Sequence, residues 1–136
     1  MTLARLREIE PAGSDLVRLT LTGAQIRSLL EHALEDPGGP TVHLAGGQVR
    51  YDPRAAAGHR VKAVTLAGGR KLRPKDSYTL ATDDSTAWGA GGFAMLTGRP
   101  TERVGLLDVE AVATYLRRLP QPVEASASTA FHSTRR

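Results

Sequence analysis

The sequence predicts an α+β domain, and three observations carry that reading. Its 136 residues match the usual length of one domain. Apolar residues recur with helical spacing near both ends of the chain. Between them they alternate with polar residues or form short runs broken by Gly and Pro, which is the pattern of strands and turns. Helices flanking a strand-rich middle define the α+β class.

The first element is a short helix over 2–9. Thr2 can cap it, and Leu3, Leu6 and Ile9 share a face. Pro11-Ala12-Gly13-Ser14 interrupts it. A half-buried strand follows over 15–21, with Val17, Leu19 and Leu21 on one side. Thr22-Gly23 turns the chain into a helix over 23–34. Gln25, three residues after Thr22, completes a capping box, and Ile26, Leu29, Leu30, Ala33 and Leu34 form the apolar stripe. Pro37-Gly38-Gly39-Pro40 ends it.

Strands then dominate. Thr41–Leu44 is a weak apolar run, 48–52 a strand and 53–58 a loop. Residues 61–66 form a strand ending at the Gly68-Gly69 turn. A second turn, 72–76, leads into Ser77–Thr82, whose composition makes it the clearest strand, expected at the centre of the sheet. Trp88-Gly89-Ala90-Gly91-Gly92 reads as a flexible loop and Phe93–Leu96 as a short apolar segment, with Trp88 read as a packing residue. A last strand, 104–107, feeds a helix over 108–119 with Val109, Val112, Ala113 and Leu116 inward, closed by Pro120 and Pro122. Residues 124–136 are small and polar, so the domain is expected over 1–123 and a disordered tail beyond it.

Composition excludes several function classes. There is no Cys, hence no disulfide, thiolate metal site or cysteine nucleophile. The net charge of +4 is small, its arginines are scattered along the chain, and aromatics are 4% of residues. That charge reads as solubility, not as a nucleic-acid partner. No apolar stretch is long enough for a membrane span, and residues 1–30 lack the pattern of a secretory signal. On that reading the protein stays where it is made if Met1 is the true start.

Local motifs carry little chemistry. Gly89, Gly91 and Gly92 form a glycine loop of the kind that brings backbone N–H groups near a phosphate, but no Gly-Lys-Ser/Thr ending makes it a P-loop, and a tight turn requiring positive φ angles is the preferred reading. Asp83 and Asp84 end the Ser77–Thr82 strand; neighbours on a strand face opposite ways, so they are not a carboxylate dyad, and one of them suits a turn. His32, His43, His59 and His132 lack metal-ligand spacing. Ser14, Ser77 and Ser85 lack a nucleophile elbow.

Three segments together resemble the C-terminal domain of the 5′-nucleotidase and UDP-sugar hydrolase family. They are the strand, Thr-Gly corner and helix from Leu19 to Glu31; the turn and strand from Gly68 to Thr82; and Asp83-Asp84 through Gly89, Gly92, Phe93 and Leu96. The last is similar to the family's Asn-Asp-x-x-x-x-Gly-Gly-Asp-Gly-Tyr loop. The resemblance implies a mixed β-sheet packed with helices and a nucleotide-binding role. In the family, two divalent metals and the hydrolysis belong to a separate metallophosphatase domain with Asp-x-His and Gly-Asn-His motifs. Neither motif occurs in this sequence, so no cofactor and no catalytic residue is expected on this chain, and the chain alone is expected to be inactive. Members of the family are commonly exported.

The resemblance also places a substrate cleft at Ser14, Asp84, Ser85, Gly91 and Phe93, in altered form. The family's Pro-Phe-Gly-Asn reads Pro11-Ala12-Gly13-Ser14, its second stacking aromatic falls at Ser85, and its loop aspartate falls at Gly91. Ala12, Ser14, Ser85 and Gly91 are therefore expected to converge on one depleted groove; a shifted Trp88 is the alternative wall for one ring, but plain packing is the preferred reading of that residue. The expected function is that of a substrate-binding domain of a 5′-nucleotidase-type hydrolase, binding a nucleotide or nucleoside weakly. The alternative is a non-catalytic interaction or structural module derived from that domain. Neither nucleic acid nor membrane is an expected partner.

Overall fold

The computed structural model describes residues 3–9, 13–123 and 129–134. They form helices and two three-stranded sheets, an α+β architecture. The chain divides into two compact units, each built from two stretches of sequence. Unit 1 comprises 1–20 and 79–126, and unit 2 comprises 21–78 and 127–136.

In unit 1, β1 (Asp15–Thr22) is the middle strand of a sheet ordered β4-β1-β5, with β4 spanning Ser77–Asp83 and β5 spanning Thr101–Leu107. β1 and β5 run antiparallel, with Val17 opposite Arg103 and Leu19 opposite Thr101. The predicted alternation holds, since Val17 and Leu19 are buried and Arg18 and Thr20 exposed. The expectation for 77–82 does not hold: β4 is an edge strand with Tyr78 and Leu80 only half-buried. β-propensity marks a strand but not its place in the sheet. The central position goes to β1, which offers the more apolar face. A second cluster joins α1 (Leu3–Ile9) to α4 (Asp108–Arg118) through buried Leu6, Val109 and Ala113, flanked by Leu107 and Leu116. Thr2, the expected cap of α1, lies outside the described residues.

Unit 2 is organised by α2 (Gly23–Ala33). Its capping box is present: Gln25 N–H donates to Thr22 Oγ1 at 3.3 Å and Thr22 N–H to Gln25 Oε1 at 2.9 Å. Leu29, Leu30, Ala33 and Leu34 are buried as expected, and Ile26 is half-buried. The second sheet is ordered β3-β2-β6, with β2 over Gly47–Tyr51, β3 over Val61–Leu66 and β6 over Phe131–Ser133. β2 and β3 are antiparallel, β2 and β6 parallel, so this sheet is mixed. Glu31 is 7% exposed and ties α2 to β3: its carboxylate accepts N–H from Arg60 at 3.0 Å and Val61 at 2.8 Å.

Two further segments differ from expectation. Thr41–Leu44 forms no strand; its chain is turn and loop, anchored by Thr41 N–H donating to Ala33 O at 2.9 Å. The stretch expected to be a disordered tail contains β6, with Phe131 only 7% exposed and in edge contact with Tyr51. A low-complexity composition hid one aromatic anchor that buries itself against β2. Residues 124–128 and 135–136 of that stretch lie outside the described residues.

Candidate functional site

Four of the five predicted site residues occur on one continuous segment of unit 1, starting where β4 ends. Asp83 is the N-cap of α3 (Asp84–Ala87), in extended conformation. Its Oδ1 accepts Thr86 N–H at 2.9 Å and its Oδ2 accepts the Thr86 hydroxyl at 2.7 Å. Burial pushes this carboxyl up, but the hydrogen bonds from Thr86, its own backbone N–H and Thr82 together outweigh it, leaving it below the usual carboxylate range. Asp83 is therefore the turn-forming aspartate of the pair. Asp84 stands half-buried in the first turn of α3, and Ser85 beside it is exposed.

Backbone hydrogen bonds fold the rest of the segment tightly. Trp88 N–H donates to the carbonyls of Asp84 at 3.0 Å and Ser85 at 3.1 Å. Gly89 has φ +101°, and a Cβ there would stand 2.8 Å from Thr97 Cγ2, so both conformation and space demand glycine. Ala90–Gly92 and Ala94–Leu96 are 3₁₀ turns. The glycine loop read as flexible is thus an ordered double turn. Ala87, Phe93 and Leu96 are buried at 1%, 6% and 0% exposure and anchor it.

The aromatic residues sort differently from expectation. Phe93 faces inward, with its ring close enough that a Cβ on Gly91 would meet Cδ2 and Cε2 at 3.3 Å. Trp88, read as a packing residue, is 64% exposed. It follows Ser85 by three residues across a four-residue helix, a spacing that puts the indole and Ser85 on neighbouring positions of one helical face. Its place in a Gly-rich stretch was the only sequence signal that it had nothing to pack against.

Ser14, elsewhere in the sequence, is held by Asp108. Its N–H donates to Asp108 Oδ1 at 3.0 Å, and its carbonyl accepts Asp108 N–H at 2.8 Å, a reciprocal clasp between the start of β1 and the first turn of α4. Ala12 lies outside the described residues. Among the described residues no three His, Asp or Glu side chains group as a metal site. His32 Nδ1 lies 3.2 Å from Glu35, two residues past the end of α2 in unit 2.

Comparison with known proteins defines the class. The sequence profile of the 5′-nucleotidase C-terminal domain matches residues 1–98, a span that includes Ser14 and the whole segment from Asp83 to Leu96. The chain belongs to that family. Among individual relatives, it is 30% identical over 131 residues to the trifunctional nucleotide phosphoesterase protein YfkN of Bacillus subtilis. That alignment covers 90% of this chain and 9% of the relative. A 5′-nucleotidase precursor from Thermus thermophilus superposes with a TM-score of 0.87 at 25% identity, over 100% of this chain and 28% of its own. The NAD nucleotidase of Haemophilus influenzae shares the fold, with a TM-score of 0.81 at 20% identity over 98% of this chain and 27% of its own. The chain therefore spans about a tenth of that curated relative and under a third of either structure.

Proposed function

We propose that this chain acts as a substrate-binding domain of a 5′-nucleotidase-type hydrolase, holding the nucleoside part of a nucleotide while residues of a metallophosphatase domain break the ester. The observation that carries this reading is the ledge from Asp83 to Leu96, which exposes Ser85, Trp88 and Gly91 over buried Ala87, Phe93 and Leu96 and falls inside the span matched by the family profile. The site is depleted. Ser85 and Gly91 offer no ring, Phe93 is committed to the interior, and Trp88 is the exposed aromatic of the ledge. One indole supplies one stacking face, worth about 1–3 kcal/mol, where a base held on both sides would gain twice that. Binding is then expected in the millimolar range, about −4 kcal/mol.

Trp88 is the single Trp of the chain, so its fluorescence reports on this ledge alone. Titration with AMP, adenosine and UDP-glucose should quench it with a millimolar midpoint, and calorimetry should lose its binding heat in Trp88→Ala. Because the side chain is 64% exposed, that substitution should leave the melting temperature within about 1–2 °C. Micromolar affinity would overturn the depleted site. Unchanged fluorescence and heat up to tens of millimolar nucleotide would overturn nucleotide binding and leave the interaction-module reading.

A further inference from the structure

Charge is unevenly shared between the two units. Among the described residues, unit 2 holds nine Lys and Arg against five Asp and Glu, a net of +4. Those of unit 1 hold seven of each, a net of zero. The scatter of cations along the sequence conceals this, because unit 2 is assembled from two separate stretches.

The sheet of unit 2 gives part of that charge a defined surface. Directly paired residues lie on the same face of a sheet. Gln48 pairs with Thr65, which bridges to Lys71, and Arg50 pairs with Ala63 on one side and His132 on the other. The hydrogen bond between His132 Nε2 and Gln48 Oε1, 2.5 Å, confirms that these side chains share the face. The buried residues Val49 and Val64 pair on the opposite face. The outer face is therefore a platform of Arg50, Lys71, His132, Gln48 and Thr65, with no carboxylate among its paired positions. Arg70, Arg73 and Lys75 are exposed on the same return from β3. Among the described residues, no ion pair or hydrogen bond engages the side chains of Arg50, Arg70, Lys71, Arg73 or Lys75, whereas the exposed Arg18 and Arg103 of unit 1 both pair with carboxylates. At the end of the sheet where β2 begins and β3 ends, a cavity of about 370 Å³ shares Gln48 and Thr65 with the platform. Its other walls include Leu44, Leu66 and Thr129, and no charged side chain lines it.

We propose that this face of unit 2 binds single-stranded nucleic acid, phosphates on the cationic platform and a base in the adjoining uncharged cavity. Four chain segments about 4.8 Å apart make the platform about 14 Å wide. Strand phosphates are separated by about 3.4 Å or more along an axis, so at most about four of them span the platform, which offers Arg50 and Lys71 directly and has the exposed Arg70, Arg73 and Lys75 on the adjoining return. Arg is the side chain whose planar fork matches phosphate, and Gln, Thr and His add donors for phosphate and sugar. The platform carries no large apolar side chain to insert among acyl chains, so an anionic membrane fits it less well, and with no exposed aromatic to stack bases, phosphate contacts carry the binding. Binding is sequence-tolerant and strongly salt-dependent. This surface is distinct from the Asp83–Leu96 ledge and stands whether or not that ledge binds a nucleotide.

The test is fluorescence anisotropy of the full chain with a labelled 20-nucleotide oligothymidylate at several salt concentrations. With four phosphates neutralised, log K should fall with log[salt] at a slope of about −2.8, which is about a 50-fold loss between 50 and 200 mM. Neutralising Arg50, Lys71 and Arg73 together to Gln should cut that slope by about 2 and weaken binding at 50 mM salt at least tenfold. All three are exposed, and circular dichroism with thermal melting checks that the fold survives. Arg117→Gln with Arg118→Gln, on α4 in unit 1, should change affinity less than twofold. The proposal is overturned if the unmodified chain fails to bind the oligonucleotide at 50 mM salt, or if the triple variant binds it as well as the original. It is also overturned if vesicles with 30% phosphatidylserine bind more tightly than the oligonucleotide and lose binding in the same triple variant.

Discussion

Replacing Gly23 by Ala opposes two physical rules and so tests the structure closely. Helix propensity alone says that Ala at the start of α2 should stabilise the helix by up to about 1 kcal/mol. The structure says the reverse. A Cβ on Gly23 would stand 2.0 Å from Arg73 O and 2.6 Å from Arg73 C, and these are backbone atoms that no rotamer change can move. Gly23 is buried there because the turn before β4 docks on the start of α2. Gly23 N–H donates to Asp76 O at 3.0 Å and Ala24 N–H to Pro74 O at 3.1 Å, so carbonyls of that turn satisfy two otherwise unpaired N–H groups of the helix. Relieving the overlap must push the turn away. The loss is two net hydrogen bonds of about 1 kcal/mol each and an overpacking cost of about 1–3 kcal/mol. The sum is about 3–5 kcal/mol of destabilisation. For 136 residues the entropy of unfolding makes 1 kcal/mol equivalent to about 3 °C, so melting should fall by about 10–15 °C in calorimetry or circular dichroism. The far-ultraviolet spectrum at low temperature should remain that of a folded protein. A melting temperature unchanged or raised would refute the docking of the 73–76 turn on α2, and with it the reason for glycine at this corner.

Two other outcomes probe carboxylates held by backbone and side-chain hydrogen bonds. Glu31→Ala removes the acceptor of two backbone N–H groups and should cost about 3 kcal/mol or more, whereas Glu31→Gln, which keeps one acceptor, should cost less; equal stabilities in denaturant titration would contradict the tie to β3. Asp83 has a lowered carboxyl, so its contribution is fully present above the ordinary carboxylate range near pH 4 and is lost as pH falls through its lower folded value. Asp83→Asn, still a capping residue but without the charge, should flatten that acid limb of stability, and an unaltered pH profile would remove Asp83 as its source.

Local patterns in the sequence determined most of the elements. The period of Val17, Leu19 and Leu21 defined β1, Thr22 and Gln25 marked the start of α2, and the stripe of Leu29, Leu30, Ala33 and Leu34 its buried side. These signals depend on neighbours within one or two turns, so a linear reading finds them. The family was legible for a similar reason, since its motifs are short and keep their order. Place within a sheet was not legible. Ser77–Thr82 has strong strand composition, yet lies at an edge, because strand order depends on which distant partners bury more surface. Phe131 was lost in a polar tail because a three-residue strand has too little pattern to register, and its burial depends on Val49 and Tyr51 some eighty residues earlier. Trp88 shows the converse: composition assigns an indole to the interior, and only the fold of 84–97 leaves it exposed. The charge of unit 2 was visible as a total and invisible as a surface, since Arg50, Lys71 and His132 meet only when strand pairing brings three separate stretches onto one face.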